Sequence, residues 1–153
     1  MLQVNEVDIL GEGSFGRCFR GCLQGTPVCL KYVKSTKKEH IMCEASTLSG
    51  LSHHAICFLH GVQVEEEPYY LVTNIYLIQE HSITIYDFLC LQDSSSKKGI
   101  VNAFRSEMVV IDWCNIMRNI AEGLKYIHSR HIIHRDLKSN NVVLYNVQST
   151  RPY

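Results

Sequence analysis

Three polar side chains with complementary chemistry lie close together in the stretch from His131 to Tyr145. Asp136 is a carboxylate that can accept a proton from a hydroxyl group. Lys138 can neutralise the charge on a phosphoryl group during its transfer. Asn141 offers a neutral oxygen, which suits a hard cation such as Mg²⁺. Together these residue types could accept a proton, neutralise negative charge and contact a metal ion.

A glycine-rich stretch near the N-terminus has the spacing Gly11-x-Gly13-x-x-Gly16. Two nucleotide-binding folds and ordinary hairpin turns share this spacing. A dinucleotide-binding loop leads straight into a helix, with an acidic residue about 20 positions later. Here Cys18 and Phe19 continue the chain as a strand. We therefore expect a loop between two strands, whose glycines let the backbone approach phosphate groups.

A lysine and a glutamate follow the glycine-rich stretch in an informative order. Lys31 ends the strand-like sequence Val-Cys-Leu-Lys, and Glu44 lies in a helical pattern between Met42 and Ala45. A carboxylate on a packed helix face is costly unless it is paired. We expect Lys31 and Glu44 to form an ion pair that aims Lys31 at a bound phosphate. The alternative is two independent surface charges.

The elements that must position these groups follow from hydrophobic periodicity and turn residues. The order is five strands around one helix, and then further helices. Asp112 is placed to cap the last and clearest helix. The predicted elements are strands and turns over 2–33, a helix over 38–51, strands over 56–64 and 69–76, a short helix over 82–91, a polar surface loop over 92–99 and a helix over 112–128.

Composition limits the class of protein. The 153 residues are 46% hydrophobic and 20% charged, with 15 basic and 15 acidic side chains, which predicts a globular chain with no net charge to attract nucleic acid. Seven scattered cysteines without a Cys-x-x-Cys pair favour reduced thiols. We see no signal peptide and no membrane segment in the sequence. We therefore expect a cytoplasmic protein, or the cytoplasmic side of a larger one.

The stretch from His134 to Asn141 reads His-Arg-Asp-Leu-Lys-Ser-Asn-Asn. It follows the glycine-rich loop, Lys31 and Glu44 in the order found in eukaryotic protein kinases, and it resembles their catalytic loop. The resemblance runs from about residue 6 to the end of the chain. It implies an α+β fold with a five-stranded antiparallel small lobe and one helix over 1–76. The first helices of an incomplete α-helical large lobe would occupy 77–153.

The resemblance also implies ATP and Mg²⁺ and assigns roles to residues. Lys31 would hold the α- and β-phosphates and pair with Glu44. Asp136 would be the catalytic base, Lys138 the phosphate-neutralising residue and Asn141 a metal ligand. The implied nucleotide-binding residues are Leu10, Gly11, Glu12, Gly13, Ser14, Phe15, Gly16, Arg17, Cys18, Cys29, Lys31, the gatekeeper Thr73, the hinge residues Asn74 and Tyr76, and Val143 below the adenine.

The sequence departs from the kinase pattern in two ways. Cys18 stands where the loop valine is usual, and Cys29 stands where an alanine is usual; both are small and fairly apolar, which is compatible with ATP binding. Only 12 residues follow Asn141, and they contain no Asp-Phe-Gly. The chain therefore resembles a kinase domain cut after the catalytic loop, and we expect it to be inactive by itself.

Three functional hypotheses remain. The first is an active parent kinase that transfers the γ-phosphate of ATP to a protein hydroxyl. Lys138 favours a Ser/Thr or tyrosine-kinase-like enzyme, with Tyr specificity still open. The second is an inactive ATP-binding pseudokinase, and the third is a truncated scaffold or interaction module. The expected partners are a protein substrate and ATP, without nucleic acid.

Overall fold

A computed structural model of the chain describes residues 2–13, 16–33, 38–90, 98–107 and 110–145. The chain divides into two compact units, and the division falls between Ile75 and Tyr76. The first unit carries the glycine-rich stretch, Lys31 and Glu44, and the second carries the loop of Asp136. Each unit has its own hydrophobic core.

The first unit is a five-stranded antiparallel sheet with one helix. Its strands are β1 (Leu2–Gly13), β2 (Gly16–Leu23), β3 (Thr26–Val33), β4 (Leu59–Gln63) and β5 (Tyr70–Asn74), and the helix α1 spans Lys38–Ser49. The strand order in the sheet is β1-β2-β3-β5-β4. The predicted five-stranded antiparallel sheet with one helix is confirmed.

A two-residue turn joins β2 to β3. Gln24 and Gly25 have φ angles of 51° and 85°, and Leu23 pairs with Thr26 on either side of them. Two consecutive positive φ angles match the right-handed twist of a tight hairpin, and glycine adopts the second without a steric penalty. This turn fixes the register in which Cys18 lies opposite Lys31.

Each face of the sheet in the first unit carries an apolar cluster. Strand alternation places one set of side chains in a core on one face, consisting of Phe19, Val28, Leu30, Tyr70 and Val72. The other face packs against α1 through Leu71, Ile41 and Ala45. Because Lys31 pairs with Leu71 across β3 and β5, its side chain lies on the α1 face of the sheet. The fold thereby brings a basic strand residue towards the helix that carries Glu44.

The second unit consists mainly of helices. Its elements are the short strand β6 (Ile83–Thr84), α2 (Ile85–Cys90), α3 (Lys98–Glu107), α4 (Val110–Ser129) and the short strand β7 (Val143–Leu144), which pairs with β6. Its buried core comprises Ile83, Ile85, Phe88, Val101 and Leu144. The ring of Trp113 meets Phe88 edge-to-face at 5.2 Å between ring centroids. This packing anchors α4 to α2.

Three sequence predictions for the second unit were wrong in detail. The predicted helix over 82–91 begins as strand β6, because the Thr84 hydroxyl and the Asp87 carboxylate form a reciprocal cap that starts α2 at Ile85. Residues 98–99, predicted as loop, begin α3; the rest of that loop, 92–97, lies outside the described residues. Asp112 does not cap α4, since the helix already includes Val110.

Candidate active site

The ion pair between Lys31 and Glu44 is the central polar contact of the first unit. Lys31 Nζ lies 2.6 Å from Glu44 Oε1, and the two side chains are 33% and 37% exposed. Glu44 lies on α1 between Ile41 and Ala45, which are buried against Leu71 of β5. This apolar cluster holds the helix against the sheet, so the carboxylate meets the ammonium group that β3 presents on the same face.

The glycine-rich stretch joins β1 to β2. Gly13 pairs with Gly16, whose φ of 148° is accessible mainly to glycine. Glu12 pairs with Arg17 across the two strands, and Glu12 Oε1 lies 2.8 Å from Arg17 Nε. Ser14, named in the sequence-based site, lies outside the described residues, as does Phe15. The structure therefore places the predicted loop between two strands, as the sequence indicated.

Two thiols follow this stretch on the face of the sheet that carries Lys31. Cys18 lies opposite Lys31, and Cys29 lies two residues before Lys31 on β3. A hydrogen bond with the Cys29 thiol holds the pKa of Cys18 below its usual value; Lys31 lowers that pKa further, while burial and Glu44 oppose the shift. The same hydrogen bond, together with burial, raises the pKa of Cys29 far above its usual range. Of the two thiols, Cys18 is therefore the one that ionises more readily.

The predicted gatekeeper Thr73 and the predicted hinge residue Asn74 end β5. Thr73 is only 7% exposed and lies opposite Cys29. The N–H of Asn74 donates to the carbonyl oxygen of Phe58 at 3.0 Å, and the side-chain oxygen of Asn74 contacts Nε2 of His60 at 2.6 Å. Because the N–H of Asn74 already donates to Phe58, only the carbonyl oxygen of Asn74 is left for the predicted backbone contact with adenine.

The remaining predicted nucleotide contacts are spread over both units. Leu10 is half-buried near the end of β1, and Gly11 is exposed beside it. In the second unit, the ring of Tyr76 lies 4.6 Å from the ring of Tyr145, measured between centroids. Val143 is exposed on β7 and pairs with Thr84. Their roles towards adenine stay predictions.

Two residues with left-handed backbone conformation precede Asp136 in the second unit. At the end of α4, the N–H of Ile132 donates to the carbonyl of Ile127 and His131 adopts a φ of 60°, the left-handed arrangement that commonly ends helices. Arg135 is left-handed as well, with a φ of 63°. Neither residue is a glycine, so no sequence signal revealed these turns.

A compact polar network surrounds Asp136. Lys138 Nζ lies 3.0 Å from Asp136 Oδ1, and the side-chain amide of Asn141 donates to both the backbone carbonyl and Oδ2 of Asp136, each at 2.8 Å. The N–H of Asp136 donates to Nδ1 of His134 at 3.3 Å, a contact that the sequence reasoning missed. The structure thus brings together Asp136, Lys138 and Asn141, the three residues on which the sequence prediction rested.

These donors further stabilise the ionised form of Asp136. Hydrogen bonds from Lys138 and then from Asn141 favour the ionised carboxylate, and they hold its pKa below the usual value. An ionised carboxylate can accept a hydrogen bond from an approaching hydroxyl group. The site therefore has the protonation state that a general base requires at neutral pH.

The donor set around Asn141 fits one side of a Mg²⁺ site. Because its amide nitrogen donates to Asp136, its oxygen points away from that carboxylate and can face a cation. Within the described residues, no group of three or more His, Cys, Asp or Glu side chains could hold a metal ion. Asn141 by itself would supply one neutral oxygen of the octahedral set that Mg²⁺ prefers.

Sequence comparisons relate the chain to known kinases. A protein kinase from Arabidopsis thaliana, cold-responsive protein kinase 1, is 28% identical over 145 residues, which cover 88% of this chain and 34% of the relative. The human tyrosine-protein kinase Srms is 29% identical over 143 residues, covering 88% of this chain and 25% of the relative. The chain therefore spans about a third or less of the length of these relatives.

A third relative extends the match over almost all of the chain. The RasGEF domain-containing serine/threonine-protein kinase X of Dictyostelium discoideum is 30% identical over 157 aligned residues, covering 98% of this chain and 14% of the relative. Among the described residues, no helix is long and apolar enough to cross a membrane. The family model for protein tyrosine and serine/threonine kinases matches residues 4–151. With nearly its whole length matched, the chain belongs to the protein tyrosine and serine/threonine kinase family.

Proposed function

We propose that this chain supplies the nucleotide-binding and catalytic-loop residues of a kinase that transfers the γ-phosphate of ATP to a serine or threonine hydroxyl of a protein. The observation that carries the proposal is the network in which Lys138 and Asn141 both bond to the ionised Asp136. A structural ion pair needs only two partners, whereas this loop gathers a base, a cation and an amide oxygen within six residues.

In this proposal the first unit binds the nucleotide. Lys31 is held by Glu44 at 2.6 Å, which fixes the ammonium group without removing its other donor hydrogens. A phosphate oxygen can then accept from Lys31 while Glu44 keeps the side chain oriented. The glycines between β1 and β2 leave room for the triphosphate next to the backbone. The adenine would contact the carbonyl of Asn74.

The second unit handles the proton and the developing charge. Asp136 accepts the proton of the substrate hydroxyl as that oxygen attacks. Lys138, now 3.0 Å from Asp136, stabilises negative charge on the phosphoryl group when the substrate is present. Asn141 would contribute an oxygen to Mg²⁺, and Mg²⁺ bound to ATP neutralises phosphate charge. Both donors to Asp136 also orient its carboxylate.

The proposal of serine and threonine as acceptors rests on Lys138. The resemblance associates a lysine two residues after the catalytic aspartate with serine/threonine and tyrosine-kinase-like enzymes. The relatives include both a serine/threonine-protein kinase and a tyrosine-protein kinase. A peptide library with serine, threonine or tyrosine as the only hydroxyl residue separates the two specificities.

For the 153 residues alone, we propose nucleotide binding without turnover. The sequence contains no Asp-Phe-Gly, whose carboxylate is the main protein ligand of Mg²⁺ in kinases. Asn141 supplies only a neutral oxygen, which holds Mg²⁺ weakly. We further propose a reducing, cytoplasmic compartment, which the seven free cysteines support.

The first test measures ATP binding to the 153-residue chain. ATP with Mg²⁺ should raise its melting temperature by mass action, and Lys31→Met should abolish that increase. Lys38→Met is the matched control, because Lys38 is exposed at the start of α1 and outside the proposed site. If both variants lost the ATP-induced increase in melting temperature equally, Lys31 would not be a residue of the nucleotide site.

The second test measures transfer from labelled ATP to a generic protein substrate. The 153-residue chain should show none, while a longer polypeptide that carries these residues and an Asp-Phe-Gly should be active and lose activity on Asp136→Asn. Transfer by the 153-residue chain that disappears on Asp136→Asn would refute its proposed inactivity. Nucleotide binding by an inactive longer polypeptide would favour the pseudokinase.

A further inference from the structure

Polar and sulfur-containing side chains form a row across the α1 face of the first sheet. Cys18 on β2 and Cys29 on β3 lie on the face of Lys31, and Thr73 on β5 lies directly opposite Cys29. Cys57 precedes β4, and its sulfur lies 3.9 Å from the carbonyl oxygen of Asn74, the residue after Thr73. The row is distinct from the nearby apolar core, and the proposed phosphoryl transfer uses none of its thiol chemistry.

The two half-buried thiols of this row differ in their surroundings. Cys18 lies directly opposite Lys31, so its sulfur faces an ammonium group across one pair of strands. Directly opposed residues have Cβ atoms about 4.5–5.5 Å apart. Cys29 is instead beside the buried Thr73, and its hydrogen bond with Cys18 lowers the pKa of Cys18. Cys18 is therefore the thiol whose ionised form receives both a hydrogen bond and a nearby positive charge.

The register argues against a disulfide between the two cysteines. Cys18 pairs with Lys31 and Cys29 pairs with Arg20, so the cysteines are diagonal neighbours rather than opposite each other. Diagonal Cα atoms are about 7–8 Å apart, whereas a disulfide needs roughly 4.4–6.8 Å. The pair cannot be bridged without movement of the backbone. Cys29 can thus activate Cys18 but is poorly placed to form a bond with it.

We propose that Cys18 is a redox-modification site, at which hydrogen peroxide oxidises the thiolate to a sulfenic acid, and that Cys29 is the positioning residue that favours this thiolate. The Cys18 sulfur attacks one peroxide oxygen, a sulfur–oxygen bond forms and the oxygen–oxygen bond breaks. The sulfur loses two electrons, and the second peroxide oxygen leaves as hydroxide, which takes a proton from the buffer and becomes water. Peroxide is small enough to reach a half-buried sulfur.

Among the described residues, several charged or ionisable groups act on Cys18. Lys31 and Cys29 on β3 favour the thiolate, whereas Glu44 on α1 opposes it. Cys57 contributes a neutral thiol at neutral pH, because burial raises its pKa. On the same strand, Arg20 is engaged by Asp8, with Arg20 Nε 2.7 Å from Asp8 Oδ2. The net effect of these groups is to lower the pKa of Cys18.

One consequence rests on the proposed function, whereas the oxidation itself does not. A sulfenic oxygen on Cys18 would lie opposite Lys31 and beside the position assigned to adenine. It would compete with the nucleotide for space and for the Lys31 donors. Peroxide treatment should therefore weaken ATP binding by the oxidised chain. The oxidation of Cys18 is measured without nucleotide. A chain that is not oxidised at Cys18 can therefore be distinguished from a chain that does not bind ATP.

The test exposes the 153-residue chain to hydrogen peroxide at pH 7 and traps sulfenic acid with dimedone. Peptide mass spectrometry then follows each cysteine. Cys22 is the internal reference, because it is also half-buried and lies four residues along the same strand. We expect Cys18 to be labelled about tenfold faster than Cys22. Equal rates, or faster labelling of Cys29, would overturn the proposal.

Variants of Cys29 isolate its contribution. Cys29→Ala removes the hydrogen-bond donor, so dimedone labelling of Cys18 at pH 7 should fall about tenfold and its alkylation profile should move to higher pH. Cys29→Ser keeps a donor and should restore part of the rate, and Cys22→Ala should change nothing. Unchanged Cys18 labelling in Cys29→Ala would contradict the positioning role. If that variant does not fold, the alkylation profile of the wild-type chain decides: a midpoint for Cys18 at or above that of Cys22 refutes the activation.

Discussion

The ion pair between Lys31 and Glu44 permits a quantitative prediction. Lys31→Met, Glu44→Gln and the double variant form a thermodynamic cycle that isolates the interaction between the two side chains. Fully exposed pairs contribute about 0.2–1 kcal/mol, and breaking a buried pair costs about 3–5 kcal/mol. With side chains 33% and 37% exposed and a separation of 2.6 Å, this pair lies between those limits. After allowance for solvent screening, we expect a coupling free energy of about 1–2 kcal/mol.

The assay must report on the first unit alone. The single Trp113 lies in the second unit, so tryptophan fluorescence would follow the wrong core. Hydrogen exchange of peptides from β3 and β5 measures the free energy of opening in the sheet that carries Lys31. A matched control cycle uses Glu12→Gln and Arg17→Gln, whose side chains are 45% and 48% exposed at 2.8 Å.

The control pair should couple by less than about 0.5 kcal/mol, because both of its side chains are largely hydrated. The free energy of the Lys31–Glu44 pair should also fall less with added salt than that of the control pair, since partly buried charges are screened less. A coupling for Lys31 and Glu44 that is no larger than the control would refute the reasoning. The carboxylate would then be solvated in the folded state, and the apolar cluster beside it would not shield the pair.

Three further predictions follow from other parts of the structure. Leu30→Ala should lower the free energy of opening, measured by hydrogen exchange in β3, by about 2–4 kcal/mol, because Leu30 is fully buried. As a control, Cys43→Ala at an exposed position should change stability by less than about 0.5 kcal/mol. A small effect at Leu30 would contradict the packing. Lys138→Met should raise the pKa of Asp136 in a carbon-13 titration, since Lys138 is the main cause of its lowered value. Ionised Asp136 stabilises the fold above its ordinary pKa, and this stabilisation is lost as pH falls through the pKa of the folded state, so the loss should occur at higher pH in the variant. An unchanged titration would disprove this. Saturating ATP should slow the reaction of Cys18 and Cys29 with thiol probes relative to Cys22; rates indifferent to ATP would place the cysteines outside the nucleotide site.

Much of the first unit could be predicted because its local signals agree with its tertiary contacts. Alternation in β3 places Lys31 on the face opposite Val28 and Leu30, and the apolar neighbours of Glu44 mark a packed helix face. Both inferences need only strand and helix periodicity. The pairing of Lys31 with Glu44 then follows, because a partly buried carboxylate needs a counter-charge.

The second unit was harder to predict because long-range contacts override its local signals. Ile83 and Thr84 look like the start of a helix, but they pair with Leu144 and Val143, about 60 residues later, and become strand. The left-handed Arg135 and the hydrogen bond from Asp136 to His134 depend on backbone geometry. Residue type alone does not encode such geometry, so only the identities of Asp136, Lys138 and Asn141 were accessible from the sequence.

The bond from Asn141 to the carboxylate of Asp136 affects how a common genetic experiment is read. Both amide hydrogens of Asn141 are directed at oxygens of Asp136, and this fixes which end of the amide faces away. In Asp136→Asn, the new side chain has one oxygen and one NH2 group, so it can accept from only one of Asn141 and Lys138 and turns its NH2 group towards the other. Such a variant removes the base and one of these two bonds at once. Loss of activity in Asp136→Asn would thus combine the loss of the base with the loss of a neighbouring bond. Comparison with Asn141→Ala would show how much of the effect comes from the bond to Asn141.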